Sequence, residues 1–275
     1  MTDPAPPPNP WEGSSGERKL FRATFDEDPD AYHRSRPVSP PQVFDDLTAL
    51  AGLEPGSAVL EIGPGTGQAT RPLAERGLLV TALELGPQLA DRARRNLADL
   101  PGVAVHTTSF EDWDPAGQTF DAVFCCNAFH WLDHDVRFAR PAALLRPGGH
   151  LIVLATPWVV PDGGDRFWWD NQEDYAAVGE ARVDPTDSHP DRITDISGPL
   201  RASGYFAEPA CRRYRFDVDL STADYLANLA TQSGFKRLGP AVQRDLTDRF
   251  RRRIQARGGS VRAHYLATLV IAGLR

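Results

Sequence analysis

Three glycines at alternating positions, Gly63, Gly65 and Gly67, follow an apolar run (Ala58, Val59, Leu60, Ile62) that carries a single acid, Glu61. Polar Gln68 and Thr70 then lead into a helical pattern. Glycine lacks a Cβ, so a glycine-rich turn between a strand and a helix brings backbone N–H groups close to a ligand. Dinucleotide turns usually read G-x-G-x-x-G. Here the spacing is G-x-G-x-G, a pattern that a turn chosen for packing alone could also show. A second apolar run, 78–83, closes on Glu84, which lies 19 residues after Gly65. In a βαβ unit the ends of the first two strands are neighbours, and a carboxylate there can accept hydrogen bonds from both ribose hydroxyls of a nucleoside.

These residues need a sheet to position them, and the next segments supply one. A third strand, Val103 to Thr107, ends in Thr108-Ser109-Phe110-Glu111-Asp112-Trp113. A fourth, Phe120 to Cys126, ends in Asn127-Ala128-Phe129-His130-Trp131. Leu144-Leu145-Arg146-Pro147-Gly148-Gly149 then turns into a fifth, His150 to Ala155. Strand and helix patterns alternate over 58–156, which predicts a parallel sheet with helices on both faces. Right-handed crossovers bring the strand ends to one edge, where ligands of open α/β sheets bind. Glu61, Glu84, Ser109 and Asn127 all fall on that edge.

The acid-plus-glycine turn, Ser-Phe-Glu-Asp-Trp after strand three, His-Trp after strand four and Leu-Arg-Pro-Gly-Gly before strand five resemble the class I S-adenosylmethionine (SAM) methyltransferases of type 11. The resemblance covers about residues 43–156, and within the group it is nearest to the trans-aconitate methyltransferase-like branch. It implies a doubly wound, mostly parallel seven-stranded α/β sheet with helical lid insertions, and SAM as cofactor. It implies that the Gly63–Gly67 backbone meets the methionyl part of SAM, with Glu61 near its ammonium. Glu84 then takes the ribose hydroxyls, Ser109 and Phe110 touch adenine with Glu111 alongside, and Asn127 lies beside the methionine end. Ser109 stands where family members commonly carry Asp, so a carboxylate bond to the adenine amino group is not carried over. A Tyr…Arg-Pro…Pro segment precedes the first strand. The resemblance makes Tyr32 and Arg36 lid residues over the cofactor, the alternative for Tyr32 being a cap on the core.

After Thr156 the chain changes character. Residues 157–191 hold Trp158, Trp168, Trp169, Tyr175 and His189 among Asp, Gly and Pro. An insertion after strand five leaves the sheet at the ligand edge and can roof the site. Trp131, Trp158, Trp168, Trp169 and His189 are therefore candidates to meet the methyl acceptor, ordinary aromatic packing being the alternative for the tryptophans. Asp187 and Arg192 could help to orient a polar acceptor. His130 is the base candidate near the methyl, or else a wall of the pocket; a carboxylate acceptor would need no base. Residues 191–203 read as a helix and 210–220 as a strand. Helices follow from Ser221 to about Gln232 and over 239–255, and a last strand covers 261–274. The resemblance makes the two late strands the antiparallel end of the sheet, with 221–258 inserted between them.

Composition narrows the function classes. The 275 residues are 41% hydrophobic and 24% charged, as in globular proteins. No apolar run is long enough to span a bilayer. A net charge of −7 argues against a nucleic-acid substrate. Three cysteines make no disulfide framework, and no Cys/His spacing suggests a metal site. The proline-rich start is no secretory signal, and a reducing cytoplasm fits best. Residues 1–18 are expected to be a disordered tail and 19–275 one domain. Arg249, Arg251, Arg252 and Arg253 read as a solvated helix face, or as an anion or partner site. The expected activity is methyl transfer to a small molecule. The alternatives are an NAD(P)-dependent oxidoreductase, for which Glu84 would serve equally well, and a non-catalytic SAM-binding protein.

Overall fold

A computed structural model describes residues 25–275. The tail expected over 1–18 lies outside the described residues. The sheet forms in the order β3-β2-β1-β4-β5-β8-β6, with β7 also paired to β8. Its parallel part comprises β1 (Ala58–Ile62), β2 (Leu79–Glu84), β3 (Val103–Thr107), β4 (Phe120–Cys126) and β5 (Leu145–Ala155). β8 (Ser260–Gly273) runs antiparallel to β5. Two further strands flank it, β6 (Trp158–Val159) and β7 (Ala210–Ser221), both antiparallel to it. The sheet therefore has eight strands, one more than expected. The additional one is β6, where Trp158 and Val159 pair with Tyr265 and His264 inside the segment read as an irregular excursion.

Side-chain alternation explains why the parallel strands are buried on both faces. Leu60, Ile62, Val123, Cys125, Leu151 and Val153 join one core cluster, and Val59, Ala122, Phe124, Ile152 and Leu154 join another. Successive residues of a strand point to opposite faces, so a near-continuous apolar run fills both layers. β3, at the sheet edge, is mostly exposed.

A third core lies beyond the sheet's ligand edge. Phe167, Trp168, Tyr225, Leu246, Phe250 and Ile254 are buried together there. They come from α6 (Phe167–Asp170), α9 (Thr222–Ala230) and α11 (Pro240–Gln255), numbering helices along the described chain. Ser221 caps α9 by accepting from the Asp224 N–H at 3.1 Å, as its position before the helix predicts. The helix expected over 191–203 is shorter, α8 (Ser197–Ala202), behind a 3-10 turn, Pro190–Arg192. Of the arginines on α11, Arg253 pairs with the buried Asp174 at 2.5 Å and Arg249 pairs with Asp245 at 2.9 Å.

The first helix, α1 (Pro29–Ser35), crosses above the sheet edge. Asp28 caps it through Ala31 N–H at 2.8 Å, and Pro29 occupies the position where a missing N–H has no consequence. Its C-terminal end is tied to α9: Asn228 Nδ2 donates to the Ser35 carbonyl at 2.7 Å, and Arg36 Nη2 to the Thr231 carbonyl at 2.9 Å.

Candidate active site

The carboxyl ends of β1, β2, β4 and β5, helix α1 and the third core enclose one cavity of about 910 Å³. Glu61, Gly63, Gly65, Glu84, Ser109, Phe110, Asn127, Tyr32 and Arg36 line it, as do His130, Trp131 and Trp158. Gly67, Glu111, Trp168, Trp169 and His189 do not.

The glycine turn is set by backbone geometry. Gly63, Gly65 and Gly67 take φ of +67°, +58° and +86°, a region that side chains resist. Each glycine has its own neighbour. A Cβ at Gly63 would stand 2.7 Å from the Ala128 Cβ, and one at Gly65 would stand 3.2 Å from the Tyr32 ring. A Cβ at Gly67 would stand 2.7 Å from Leu97 Cδ1, so this third glycine serves helix packing away from the cavity.

Glu84 is buried beside this turn, and both of its oxygens are engaged. Oε2 accepts from Gly65 N–H at 2.9 Å and Oε1 from Gly86 N–H at 3.0 Å. The carboxylate thus locks the first two strand ends together. Burial raises its pKa, and the two backbone donors offset part of that rise. A carboxylate has about four lone-pair sites, so acceptor capacity remains for a ligand. Glu61 differs. It is fully buried, and neither of its oxygens has a hydrogen-bond partner of good geometry. Burial pushes its pKa up to about 7; nearby Thr70 offsets part of this, and the charge of Glu84 adds to it.

Ser109 Oγ donates to Asp112 Oδ2 at 2.7 Å and accepts from Asp112 N–H at 3.0 Å, so its hydroxyl holds its own turn. Phe110 is buried at the cavity wall. Glu111 lies outside the wall and accepts from Asp133 N–H at 3.4 Å. Asn127 sits at φ +54°, and its Oδ1 accepts from Thr156 N–H at 2.7 Å, joining the ends of β4 and β5. Burial lowers the His130 pKa to about 4, and its ring lies 4.7 Å from that of Trp131. Trp131 meets Phe25 edge-on at 5.5 Å.

The tryptophans of the excursion divide. Trp158 reaches the cavity and stacks at 4.8 Å on Trp168, which is buried behind it and donates from Nε1 to the Arg262 carbonyl. Trp169 packs against the same third core. His189 caps the 3-10 turn Pro190–Arg192, while Arg192 and Asp187 pair at 3.1 Å on the cavity rim. Phe25, Asn228, Gln232, Tyr265 and Thr268 also line the cavity. No short local pattern marks these five, since each depends on a contact distant in sequence.

The methyltransferase-domain family matches residues 59–149, the span from β1 into β5. An uncharacterized methyltransferase of Mycobacterium bovis is 32% identical over 177 residues, which is 64% of this chain and 66% of that protein. Over this span the chain is similar to SAM-dependent methyltransferases. The aligned stretch spans just under two thirds of the mycobacterial relative's own length. Trans-aconitate 2-methyltransferase of Mycobacterium tuberculosis is 33% identical over 134 residues, 46% of this chain and 47% of that one. Among solved structures, one from Anaeromyxobacter dehalogenans assigned to the type II methyltransferases shares the fold, with a TM-score of 0.57 at 20% identity over 86% of this chain and 97% of that chain. Nothing in the arrangement or in these relatives favours an oxidoreductase.

Proposed function

We propose that the protein transfers a methyl group from SAM to a small-molecule acceptor. The observation that carries this reading is Glu84, buried at the cavity floor and fixed by the N–H groups of Gly65 and Gly86. The donor set fits the cofactor on the chain's own evidence. Glu61 presents two unpartnered buried oxygens, which suit an ammonium, and the glycine turn leaves space that side chains would fill.

The sulfonium of SAM supplies an electrophilic methyl to a nucleophile aligned opposite sulfur. The residues orient and enclose. Glu84 accepts from the ribose hydroxyls with the lone pairs the backbone leaves free. Glu61 faces the methionyl ammonium, and a cation there would draw its proton off. Ser109 and Phe110 flank adenine, Asn127 holds the methionyl end, and Tyr32 closes over Gly65. Holding two reactants in line can lower a barrier by roughly 7–11 kcal/mol in favourable intramolecular cases. His130, neutral above about pH 4, serves as a wall beside Trp131, because burial disfavours the imidazolium a general base must become. Trp158 and Trp131 bound the acceptor side, and Trp168, Trp169 and His189 act through the roof that carries them.

No described helix is long and apolar enough to cross a membrane. None of the three cysteines is in a disulfide, and we place the protein in a reducing cytoplasm. Titration calorimetry of metal-stripped protein with SAM and S-adenosylhomocysteine is the test. Stoichiometric binding is expected. A folded protein that binds neither at millimolar ligand overturns the reading.

A further inference from the structure

The sheet has two edges, and they are finished differently. β3 closes one with five residues, and Arg94 blunts it by donating to the Val105 carbonyl at 3.0 Å and to Thr107 Oγ1 at 2.7 Å. β7 closes the other with twelve residues and pairs on one side only, with β8. It contains no proline, and its register along β8 is unbroken from Ala210↔Ile271 to Ser221↔Ser260. Antiparallel ladders alternate between residues that bond to the neighbouring strand and residues that bond away from it. Thr222 N–H donates to the Gly259 carbonyl at 3.0 Å, continuing the β7–β8 register, so the even-numbered residues of β7 bond to β8. The N–H and C=O groups of Cys211, Arg213, Arg215, Asp217 and Asp219 therefore point outward. The Cys211 carbonyl takes Arg212 Nη1 at 3.1 Å; the others have no partner on that side among the described residues. A long edge of this kind is a template for another strand.

The charges on this edge are self-complementary about one residue. Arg213 and Arg215 precede Phe216, and Asp217 and Asp219 follow it at the same distances. A second β7 laid antiparallel about a two-fold axis through Phe216 sets Arg215 opposite Asp217 and Arg213 opposite Asp219. All four belong to the outward-bonding set, so hydrogen bonds and charges demand the same register. Moving the axis by one residue sets Arg215 against Arg215 or Asp217 against Asp217, and like charges directly opposite are destabilising. The side chains are open to such a partner: Arg215 is 60% exposed, Asp217 49% and Asp219 63%. Within the chain, Asp219 accepts from Arg262 at 2.9 Å and Asp217 bonds His264 Nδ1 at 2.7 Å, both across β8. Arg215 reaches Asp191 at 3.2 Å, and Arg213 donates to the Pro190 carbonyl. Each carboxylate keeps lone pairs for a second donor. On the other face of the sheet Phe216 stacks on Tyr265 at 5.5 Å, and Tyr265 stands opposite Trp158. A row of rings thus runs from the cavity wall to the edge and ends at half-buried Phe216.

We propose that β7 is the interface of a two-fold dimer, its occupant a second copy of this chain paired antiparallel about Phe216. The outward N–H and C=O groups of Arg213, Arg215, Asp217 and Asp219 then find partners. Phe216 meets Phe216 of the second copy at a position outside the hydrogen-bonded pairs, where cross-strand side chains come closest. Exposed ion pairs are individually weak, so the charges select partner and register while the ladder and the rings supply adhesion. A foreign strand would have to carry the same order of charges. The interface is isologous and uses the open edge of both copies; with β3 blunted, assembly stops at two. Nothing in this pairing depends on which ligand the cavity holds.

The test is sedimentation velocity of the full chain over a range of concentrations. A monomer–dimer equilibrium with a dissociation constant of about 10 μM or tighter is expected. Arg213→Asp with Arg215→Asp makes an all-acidic edge, and Asp217→Arg with Asp219→Arg makes an all-basic one. Each chain alone should dimerise at least about tenfold more weakly than the parent, and an equimolar mixture should return to within about threefold of it. The register has its own readout. Phe216→Cys brings two thiols together on strands whose Cα atoms are about 4.5 Å apart, so mild oxidation should cross-link the dimer. Val218→Cys and the parent should stay uncrosslinked, because their like positions lie about 14 Å or more apart. A monomer at every concentration up to about 100 μM overturns the proposal, as does a dimer that both charge variants leave unchanged. It is overturned equally by variants that melt like the parent yet do not recover the dimer on mixing, or by cross-linking of Val218→Cys in place of Phe216→Cys.

Discussion

The proposed cofactor shelf and the proposed acceptor chamber share one cavity and are built by opposite means. On the shelf, the lining residues come from the ends of parallel strands and the first residues after them. Glu61, Gly63, Glu84, Ser109 and Asn127 each lie within a few residues of a strand terminus. In the chamber, contacts come from elements far apart in sequence. Arg36 bonds to Thr231 across 195 positions, and Trp168 to Arg262 across 94. Shelf residues can therefore be changed with limited damage to the core, whereas most chamber aromatics are themselves core.

The sharpest break of that contrast is Gly65→Val. Valine would be forced to φ +58° with its Cβ at 3.2 Å from the Tyr32 ring. Loss of S-adenosylhomocysteine binding by more than about a hundredfold is expected, since left-handed strain and a steric clash combine. Gly198→Ala has open space and no positive φ, and should leave binding and melting temperature unchanged. Equal titration curves for the two variants would remove the glycine turn from the site.

Trp168→Ala tests the other half. Deleting a buried indole stacked on Trp158 should cost about 3–5 kcal/mol of stability and lower the melting temperature by about ten degrees. The protein that remains folded should bind S-adenosylhomocysteine within a few-fold of the parent. A variant with parental melting but poor cofactor binding would show that shelf and chamber are not separable.

Glu84→Ala should weaken S-adenosylhomocysteine by tens-fold, because hydrogen bonds to a charged acceptor are worth about 1.5–3 kcal/mol each. A modest fall in melting temperature accompanies it, as the Gly65 and Gly86 N–H groups lose their acceptor. Unaltered affinity would separate Glu84 from the ligand.

The smallest effect concerns Glu61. In the fold it holds a proton up to about pH 7 that the unfolded chain has already released above its ordinary value of 4.5. Stability of the ligand-free protein therefore falls as pH rises from about 4.5 to 7. Glu84, also raised, adds a contribution of the same sign. Melting temperatures at pH 5.5 and 8 should differ by a few degrees, with the lower value at pH 8. Glu61→Gln should reduce the difference; an unchanged difference in that variant would assign it to other groups.

The same contrast explains what was legible in the sequence. β1 and β4 fall where apolar runs and turn residues predict them, because buried parallel strands are written as continuous hydrophobic segments, and the exposed edge strand β3 is marked by the alternation of Val103 and Val105. The edge location of Glu84 and Asn127 follows from topology alone. Gly67 resembles its two neighbours in sequence, yet its close neighbour is Leu97 of a following segment, which no local pattern discloses. Trp168 and Trp169 carry the composition of a binding roof and the contacts of a core. The phenol of Tyr265 lies in an apolar strand that reads as plain sheet. Its place in the cavity wall depends on the pairing of β8 with β5 and β6, which no local pattern discloses.

β8 has a mechanical consequence. Its later half pairs with β5, from His150↔Gly273 to Ala155↔Thr268, and its earlier half pairs with β6 at Tyr265 and His264. β7 runs along it through twelve paired positions. One continuous girder thus underlies both compartments, and prying them apart would rupture its ladder. Helix α1 lies outside that ladder, held to α9 by the hydrogen bonds of Asn228 and Arg36 and to the glycine turn by Gln68, whose Nε2 donates to the His33 carbonyl at 2.9 Å. Opening the cavity at α1 would break side-chain hydrogen bonds and leave the ladder whole.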